Sequence, residues 1–348
     1  MTLLKVSTVH LLLLNTVALT LCNCTPLDNL SIRRDTITLS GFSSGGTFAQ
    51  QLQISYSSIF HGIAVFSHTY YRCGPGNGIE ADYDDVCTVL GNRTATNEIY
   101  NPNNARNDIK RYYDNGLIEH PGHLRNKRLY VFTGLRNSLF TPEMSLNILK
   151  IYEPLIRNPL NIRTRVMDAG LVLPSNSYGS RCTTEDASGT YFIANCGLSG
   201  ALESLGFLLP GIKSPGNRRT PPLETFDQTE FFTPGERNDM DNQGFLYVPK
   251  ICRNTQTSRY STKCHLHFYF HGCMASRQFV GMNHALKSGF LEVAEANNII
   301  VVFPQNVNAT GNEIGCWDTY GFTGENFANQ LGAQVQVVRK MLSKILGE

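Results

Sequence analysis

The sequence predicts an α/β protein: a mostly parallel sheet with helices on both faces. Two observations lead there. Short continuous apolar runs, such as GIAVF (62–66), LHFYF (266–270) and IIVVF (299–303), read as strands buried on both sides. Segments with apolar residues at helical spacing lie between such runs, and that alternation argues for parallel strands joined by helical crossovers. Hydrophobic content of 41% and charged content of 17% over 348 residues suit a sizeable core, in one large domain or two average ones.

Residues 1–22 read as a secretory signal peptide. Lys5 precedes an apolar stretch over 9–21, and polar and small residues follow at once. The stretch is too short and ends too abruptly for a good membrane anchor, the competing reading. No later segment is apolar for long enough to span a bilayer. Residues 36–42 then predict a strand, 47–56 a helix, 62–66 and 129–132 strands, and 142–155 a helix. Strands at 244–248, 266–270 and 299–303 enclose a helix at 281–297, and a last helix covers 326–346. Residues 92–108 are polar and Asn-rich, and 213–242 hold four prolines and many charges. Both read as surface excursions, because composition is alike on either side of each, so residues 23–348 are expected to form a single domain. There is no internal repeat. Net charge of +2 without a basic run gives no reason to expect nucleic acid or an anionic membrane as partner.

A secreted chain makes disulfides the default for its cysteines. Cys22 and Cys24 stand at the signal boundary, and eight others follow. Short spacings suggest Cys73 with Cys87, Cys182 with Cys196 and Cys252 with Cys264, leaving Cys273 for Cys316. This is the simplest of many connectivities, not one that sequence can prove. Sequons at Asn23, Asn29, Asn92 and Asn308 suit glycosylation of a secreted protein.

The sharpest motif is ITLSGFSSGGTF (37–48), where Gly41-Phe42-Ser43-Ser44-Gly45 matches the G-x-S-x-G pattern of a nucleophile elbow. Small residues there let a strand turn sharply into a helix and expose the hydroxyl. A serine hydroxyl needs a base to take its proton and an acid to orient that base. The search for those two partners decides the functional reading.

Laid out in order, SGFSSGGTFAQQLQISYSSIFHGIAVF (40–66), VFTG (131–134), PSNSYGSRC (174–182), FDQTEF (226–231), GFLYVPKIC (244–252), HFYFHGCMAS (267–276), NNIIVVFPQ (297–305) and GCWDTYGFTG (315–324) carry a family likeness. The chain resembles the secreted poly(3-hydroxybutyrate) depolymerases and their relatives over nearly its whole mature length. The resemblance implies a circularly permuted α/β-hydrolase, because the strand ending in His271-Gly272 follows the elbow here instead of preceding it. It also implies ester hydrolysis without metal or cofactor, and a polyester or other hydrophobic ester as ligand. In that family the triad acid stands in a pattern like G-x-x-D and the histidine in one like A-E-H-x-x-P-T. Here Gly134-Leu135-Arg136-Asn137 puts Asn137 at the acid position, and Ala169-Gly170-Leu171-Val172-Leu173-Pro174-Ser175 puts Leu171 at the base position.

Leucine moves no proton, and asparagine has no histidine at that site to orient. Removing the base from a serine triad costs about 2 × 10⁶ in kcat, roughly 8 kcal/mol of transition-state stabilisation. The oxyanion hole remains buildable from the amides of Ser44 and of the Gly272-Cys273 turn. His68, just past the strand at 62–66, is the first suspect for a relocated base, the alternative being a loop histidine without catalytic geometry. His271 is expected to shape the oxyanion loop, His265 and His267 to be structural, and His120 and His123 to lie in an exposed turn. No metal site is expected. Trp317 stands either at the mouth of a substrate crevice or over a Cys273–Cys316 bridge, and Tyr320 and Phe322 share that alternative. Three functional readings follow: a secreted pseudoenzyme with impaired ester hydrolysis, an active serine carboxylic-ester hydrolase using Ser43 with His68, or a domain in which Ser43 is only a small turn residue.

Overall fold

A computed structural model describes residues 24–27, 30–91, 101–216, 222–253 and 263–348. The signal segment, Cys22, Asn23, Asn29 and Asn92 lie outside the described residues.

Side chains that alternate between two buried clusters along the central strands explain why this chain forms a sheet with two covered faces. In β2 (Gly62–Phe66), Ile63 and Val65 join one core cluster while Ala64 and Phe66 join the other. The same two-residue period sends Leu129 and Val131 of β3 (Arg128–Gly134) to one side and Tyr130 and Phe132 to the other. A strand buried on both faces has no polar side to show, hence the unbroken apolar runs. With β1 (Ile32–Phe42), β4 (Ile162–Met167), β8 (Glu224–Asp227), β9 (Gln243–Tyr247), β10 (Cys264–Phe270) and β11 (Ile299–Phe303), the order is β4-β3-β2-β1-β10-β11-β9-β8. Pairs from β4 through β11 are parallel, and β9 and β8 attach antiparallel at one edge. Short strands β5 (Leu173–Ser175), β6 (Ser180–Arg181) and β7 (Ile193–Asn195) make a separate three-stranded sheet.

Helices cover both faces. On one face, α1 (Ser44–Ser55), α3 (Pro102–Asp114), α4 (Pro142–Tyr152) and α9 (Ala333–Leu346) contribute to the first cluster. On the other, α5 (Gly200–Leu208), α7 (Asn283–Lys287) and α8 (Phe290–Asn297) contribute to the second. Two more short helices occur among the described residues: α2 (Glu80–Cys87), after β2, and α6 (Arg277–Val280), after β10.

The α/β class is as expected; several boundaries are not. The helix expected over 281–297 is cut by Gly289, which adopts φ 82°, a left-handed conformation, so α7 and α8 are separate. The last helix starts at Ala333 because residues 326–332 close successive turns, Asn329 N to Asn326 O and Gly332 N to Asn329 O. The excursion expected over 92–108 runs into a helix: Asn101 caps α3, accepting from Asn103 N, and Pro102 opens it. The excursion at 213–242 contains edge strand β8.

All four expected bridges are present: Cys73–Cys87, Cys182–Cys196, Cys252–Cys264 and Cys273–Cys316. Cys24 is also disulfide-bonded. The first bridge ties the end of α2 to the loop that follows β2, over a sequence separation of 14. Replacing both partners, Cys73→Ala with Cys87→Ala, is expected to cost about 3 kcal/mol through loop-closure entropy. Urea unfolding checks it, and unchanged midpoints would show that α2 needs no pin. Among the described residues no helix is long and apolar enough to cross a membrane.

Candidate active site

Strand β1 ends at Phe42 and α1 begins at Ser44, leaving Ser43 alone to make the bend at φ 51°, ψ −129°. A non-glycine residue there carries about 1–3 kcal/mol of backbone strain, tolerated where the surroundings enforce it. Here they do. A Cβ at Gly41 would stand 2.0 Å from Gly45 O, and one at Gly45 would stand 2.3 Å from Phe270 O. No larger residue fits at either position, so β1, α1 and the end of β10 meet backbone to backbone. Ser43 N donates to Phe66 O at 2.9 Å, locking the bend onto β2. The side chain, 8% exposed, lines a cleft of about 140 Å³. Its Oγ has no hydrogen-bond partner among the described residues.

Ser44 and Cys273 line the same cleft. Neither backbone N–H is engaged by another described residue. Free amides at a helix start, beside a nucleophile-type serine, are what a developing oxyanion needs. Side chains hold the pair in place. Ser44 Oγ accepts from Trp317 N at 3.2 Å and lies 3.3 Å from Cys273 Sγ. Because that sulfur is bridged to Cys316, it can only accept, and the Ser44 hydroxyl is the donor. A Cβ on Gly272 would come within 2.9 Å of Ser43 Cβ, so the loop passes directly against the serine. His271 braces it from behind: Nδ1–H donates to Gly272 O at 2.7 Å and Nε2 accepts from Asn306 N at 3.2 Å. The loop-shaping role expected of His271 agrees with these bonds.

Asn137 stands at the end of β3, three residues past Gly134. Its Oδ1 accepts from Leu139 N and Phe140 N, each at 3.0 Å. The other half of the amide, Nδ2, is buried without a partner. Leu171 lies between Gly170, whose N donates to Cys182 O, and Val172, whose O accepts from Ser67 Oγ. Its side chain packs on the second core cluster. The two loops touch, Arg136 N donating to Ala169 O at 2.9 Å. Thus the loops that carry Asn137 and Leu171, the residues that the family resemblance aligns with acid and base, are neighbours at the carboxyl edge of the sheet, where open α/β sheets bind ligands.

His68 lines the Ser43 cleft but does not bond to Ser43. Its Nδ1 meets Thr47 Oγ1 at 2.6 Å and its Nε2 faces Tyr83 Oη at 3.4 Å. Phe140 packs on the ring, with centroids 4.3 Å apart. Burial pushes its pKa down to about 3, so the ring is neutral and a poor proton acceptor. Among the described residues no imidazole is hydrogen-bonded to Ser43 Oγ. His267 is a structural histidine between Thr38 Oγ1 at 2.8 Å and Ser40 Oγ at 2.7 Å. His265 is partly buried, His120 and His123 lie in an exposed turn, and no metal-type cluster occurs among the described residues.

Trp317 corrects the crevice-mouth alternative. It is fully buried, stacked on Phe48 at 4.3 Å and edge-on to Phe270 at 5.0 Å. The indole is core packing beside the Cys273–Cys316 bridge, and Tyr320 lines the cleft instead. Asp318, also buried, accepts from Gly321 N, Phe322 N and both Thr323 donors, which shapes the loop carrying Tyr320. Asn308 is exposed, as a glycosylation acceptor must be.

The cleft wall formed by α2 was not legible from motifs. Glu80, Tyr83 and Asp84 line it opposite Leu139 and Phe140. The one available signal was the Cys73–Cys87 bracket around them.

Sheet, elbow and free amides define a hydrolase-type α/β scaffold. No protein-family profile matches the chain. Two curated proteins are similar to it along most of its length. A poly(3-hydroxybutyrate) depolymerase of Delftia acidovorans is 26% identical over 322 residues, covering 92% of this chain but 61% of the relative. A polyhydroxybutyrate depolymerase of Talaromyces funiculosus is 28% identical over 324 residues, with 88% of each covered. Among solved structures, a serine-to-alanine variant of a PHB depolymerase complexed with an R3HB trimer superposes with TM-score 0.82 at 23% identity, covering 93% of this chain and 99% of that one. The PHB depolymerase from Penicillium funiculosum gives 0.81 at 24% identity, with the same coverage. The chain therefore has the depolymerase fold.

Proposed function

We propose that this chain is a secreted, depolymerase-like α/β-hydrolase scaffold that binds an ester at Ser43 and hydrolyses it slowly or not at all. The observation that carries the reading is the Ser43 hydroxyl itself. It sits at a strained elbow beside two free amides, yet no imidazole among the described residues is hydrogen-bonded to it. An ester carbonyl placed there could be polarised by Ser44 N–H and Cys273 N–H, but the attacking hydroxyl would keep its proton. Asn137 and Leu171, at the acid and base positions, support the same conclusion. A polyester segment or another hydrophobic ester is the ligand class that the similarity to depolymerases suggests. Secretion is supported by the signal-type segment at 1–22 and by four bridges, which persist in oxidising compartments. One mature domain over 23–348 fits the continuous sheet. A circularly permuted chain order is supported by β10, late in sequence, pairing parallel with β1.

Purified protein is expected to hydrolyse p-nitrophenyl butyrate at a rate unchanged by Ser43→Ala, and to resist fluorophosphonate labelling at Ser43. Fast turnover lost in Ser43→Ala would overturn the reading. The active-hydrolase alternative is favoured by one observation, that His68 shares the cleft with Ser43. For that reading to hold, labelling must occur and must vanish in His68→Ala.

A further inference from the structure

The charges of the cleft are one-sided. Glu80 and Asp84, one turn apart on α2, face it together, and no Lys or Arg belongs to its described lining. Neither carboxylate is in an ion pair among the described residues. Arg237, whose guanidinium lies over the Phe322 ring next to Tyr320, is held by Asp239 at 2.9 and 2.8 Å and by Thr310 O at 2.8 Å. Two carboxylates left close together without a counterion repel each other. Both pKa values are raised, first by burial, then by Asp84 and Glu313 for Glu80 and by Asp85 for Asp84. The same lining presents three aromatic rings, Tyr83, Phe140 and Tyr320, with Tyr83 and Tyr320 centroids 6.1 Å apart. Aromatic faces beside carboxylates attract organic cations.

The arrangement is built rather than accidental. The Cys73–Cys87 bridge fixes α2, Gly78 N donates to Tyr320 O at 2.8 Å, and Val89 N donates to Leu139 O at 2.9 Å, so both walls are pinned across the gap. A second observation points to a ligand independently of charge. Ser43, a residue 8% exposed, lines the cleft with its hydroxyl making no hydrogen bond among the described residues.

We propose that this cleft holds the ammonium head of an organic cation between the α2 carboxylates and the Tyr83, Phe140 and Tyr320 rings, with the acyl part of the same ligand at Ser43. The acyl half of this statement rests on the ester-binding reading above; the cation half does not. It also sets a direction of selectivity. A ligand ending in a carboxylate, such as a free hydroxy acid, is repelled by the same pair.

Butyrylcholine, its neutral carbon isostere 3,3-dimethylbutyl butyrate, and choline alone would be titrated by calorimetry into the full mature chain. Butyrylcholine is expected to bind at least about tenfold more tightly than the isostere, with the advantage reduced at high salt. In the Glu80→Gln with Asp84→Asn variant it should shrink to within about twofold. An unchanged melting temperature would show that the variant is folded. Equal affinity for the two esters overturns the cation site and leaves ester binding standing. Binding of choline with neither ester bound supports the cation site and removes the ester reading. Failure of all three to bind overturns the proposal.

Discussion

Asn137→Asp combined with Leu171→His is expected to raise hydrolysis of p-nitrophenyl butyrate by at least about 10³-fold over the parent chain, and Ser43→Ala in that background should abolish the gain. The full loss on removing a base is about 10⁶, and recovery of half of it on a logarithmic scale would still dominate every other change considered. The geometry supplies the rest of the machinery. Ser43 is already presented, and the Ser44 and Cys273 amides are already free. Asn137 Oδ1 already accepts two backbone amides, which would hold an aspartate in the same rotamer. Its second oxygen would replace the buried, unpartnered Nδ2 and could accept from an imidazole at 171.

Each substitution alone is expected to do little for activity. Asn137→Asp by itself buries part of a carboxylate with no proton donor facing its second oxygen, which destabilises the fold by about 1–3 kcal/mol. Leu171→His by itself introduces a base oriented only through Asn137. Groups that act as a unit give strongly non-additive kinetics, so the double variant should exceed the product of the singles. A double variant that folds, keeps its disulfides and shows no Ser43-dependent turnover would mean that 137 and 171 are not the positions from which acid and base reach this serine.

The parts of the molecule that follow from strong local physics were legible in the sequence. Ile299–Phe303 and Gly62–Phe66 were readable to the residue because a doubly buried strand has a run of apolar residues and nothing else. The elbow was readable because Gly41 and Gly45 are demanded by backbone contacts that any side chain would break. Strand β4 was not, since at the sheet edge its residues Arg163, Thr164, Arg165 and Val166 face solvent and carry no hydrophobic period. Helix α3 was hidden by its polar surroundings, although Ala105, Ile109 and Tyr112 do repeat at helical spacing on its buried face. At the site, Ser43 and the two residues that the family resemblance aligns with acid and base, Asn137 and Leu171, were visible as residue types. Whether His68 could substitute was not, because the answer depends on Thr47 and Tyr83, partners from two different elements. The burial of Trp317 was equally a tertiary fact, set by Phe48 and Phe270.

Lowering the pH from 7 to 5 is expected to destabilise the protein by several kcal/mol, through histidines that fold neutral. His68, His267 and His271 are held down to about 3 and His284 to about 4, in each case first by burial. Their nitrogens are engaged in the neutral form: His284, for example, by Tyr269 Oη at 2.8 Å and Tyr191 O at 2.7 Å. In the unfolded chain each titrates near 6.5. Below that pH the unfolded state binds protons that the native state does not, so stability is intact above about 6.5 and falls as pH drops toward 3–4. At pH 5 each ring contributes about 2 kcal/mol of loss, at most roughly 8 kcal/mol for the four. Asp318 acts in the opposite sense. Burial raises its carboxyl to about 6, so acidification favours the native state there, offsetting about 1 kcal/mol. The net loss approaches the whole stability of an ordinary domain. Urea midpoints measured at pH 7, 6 and 5 should therefore fall steeply, with bridges intact. A flat profile would show that these four histidines are protonated in the native state, or already sheltered in the unfolded one.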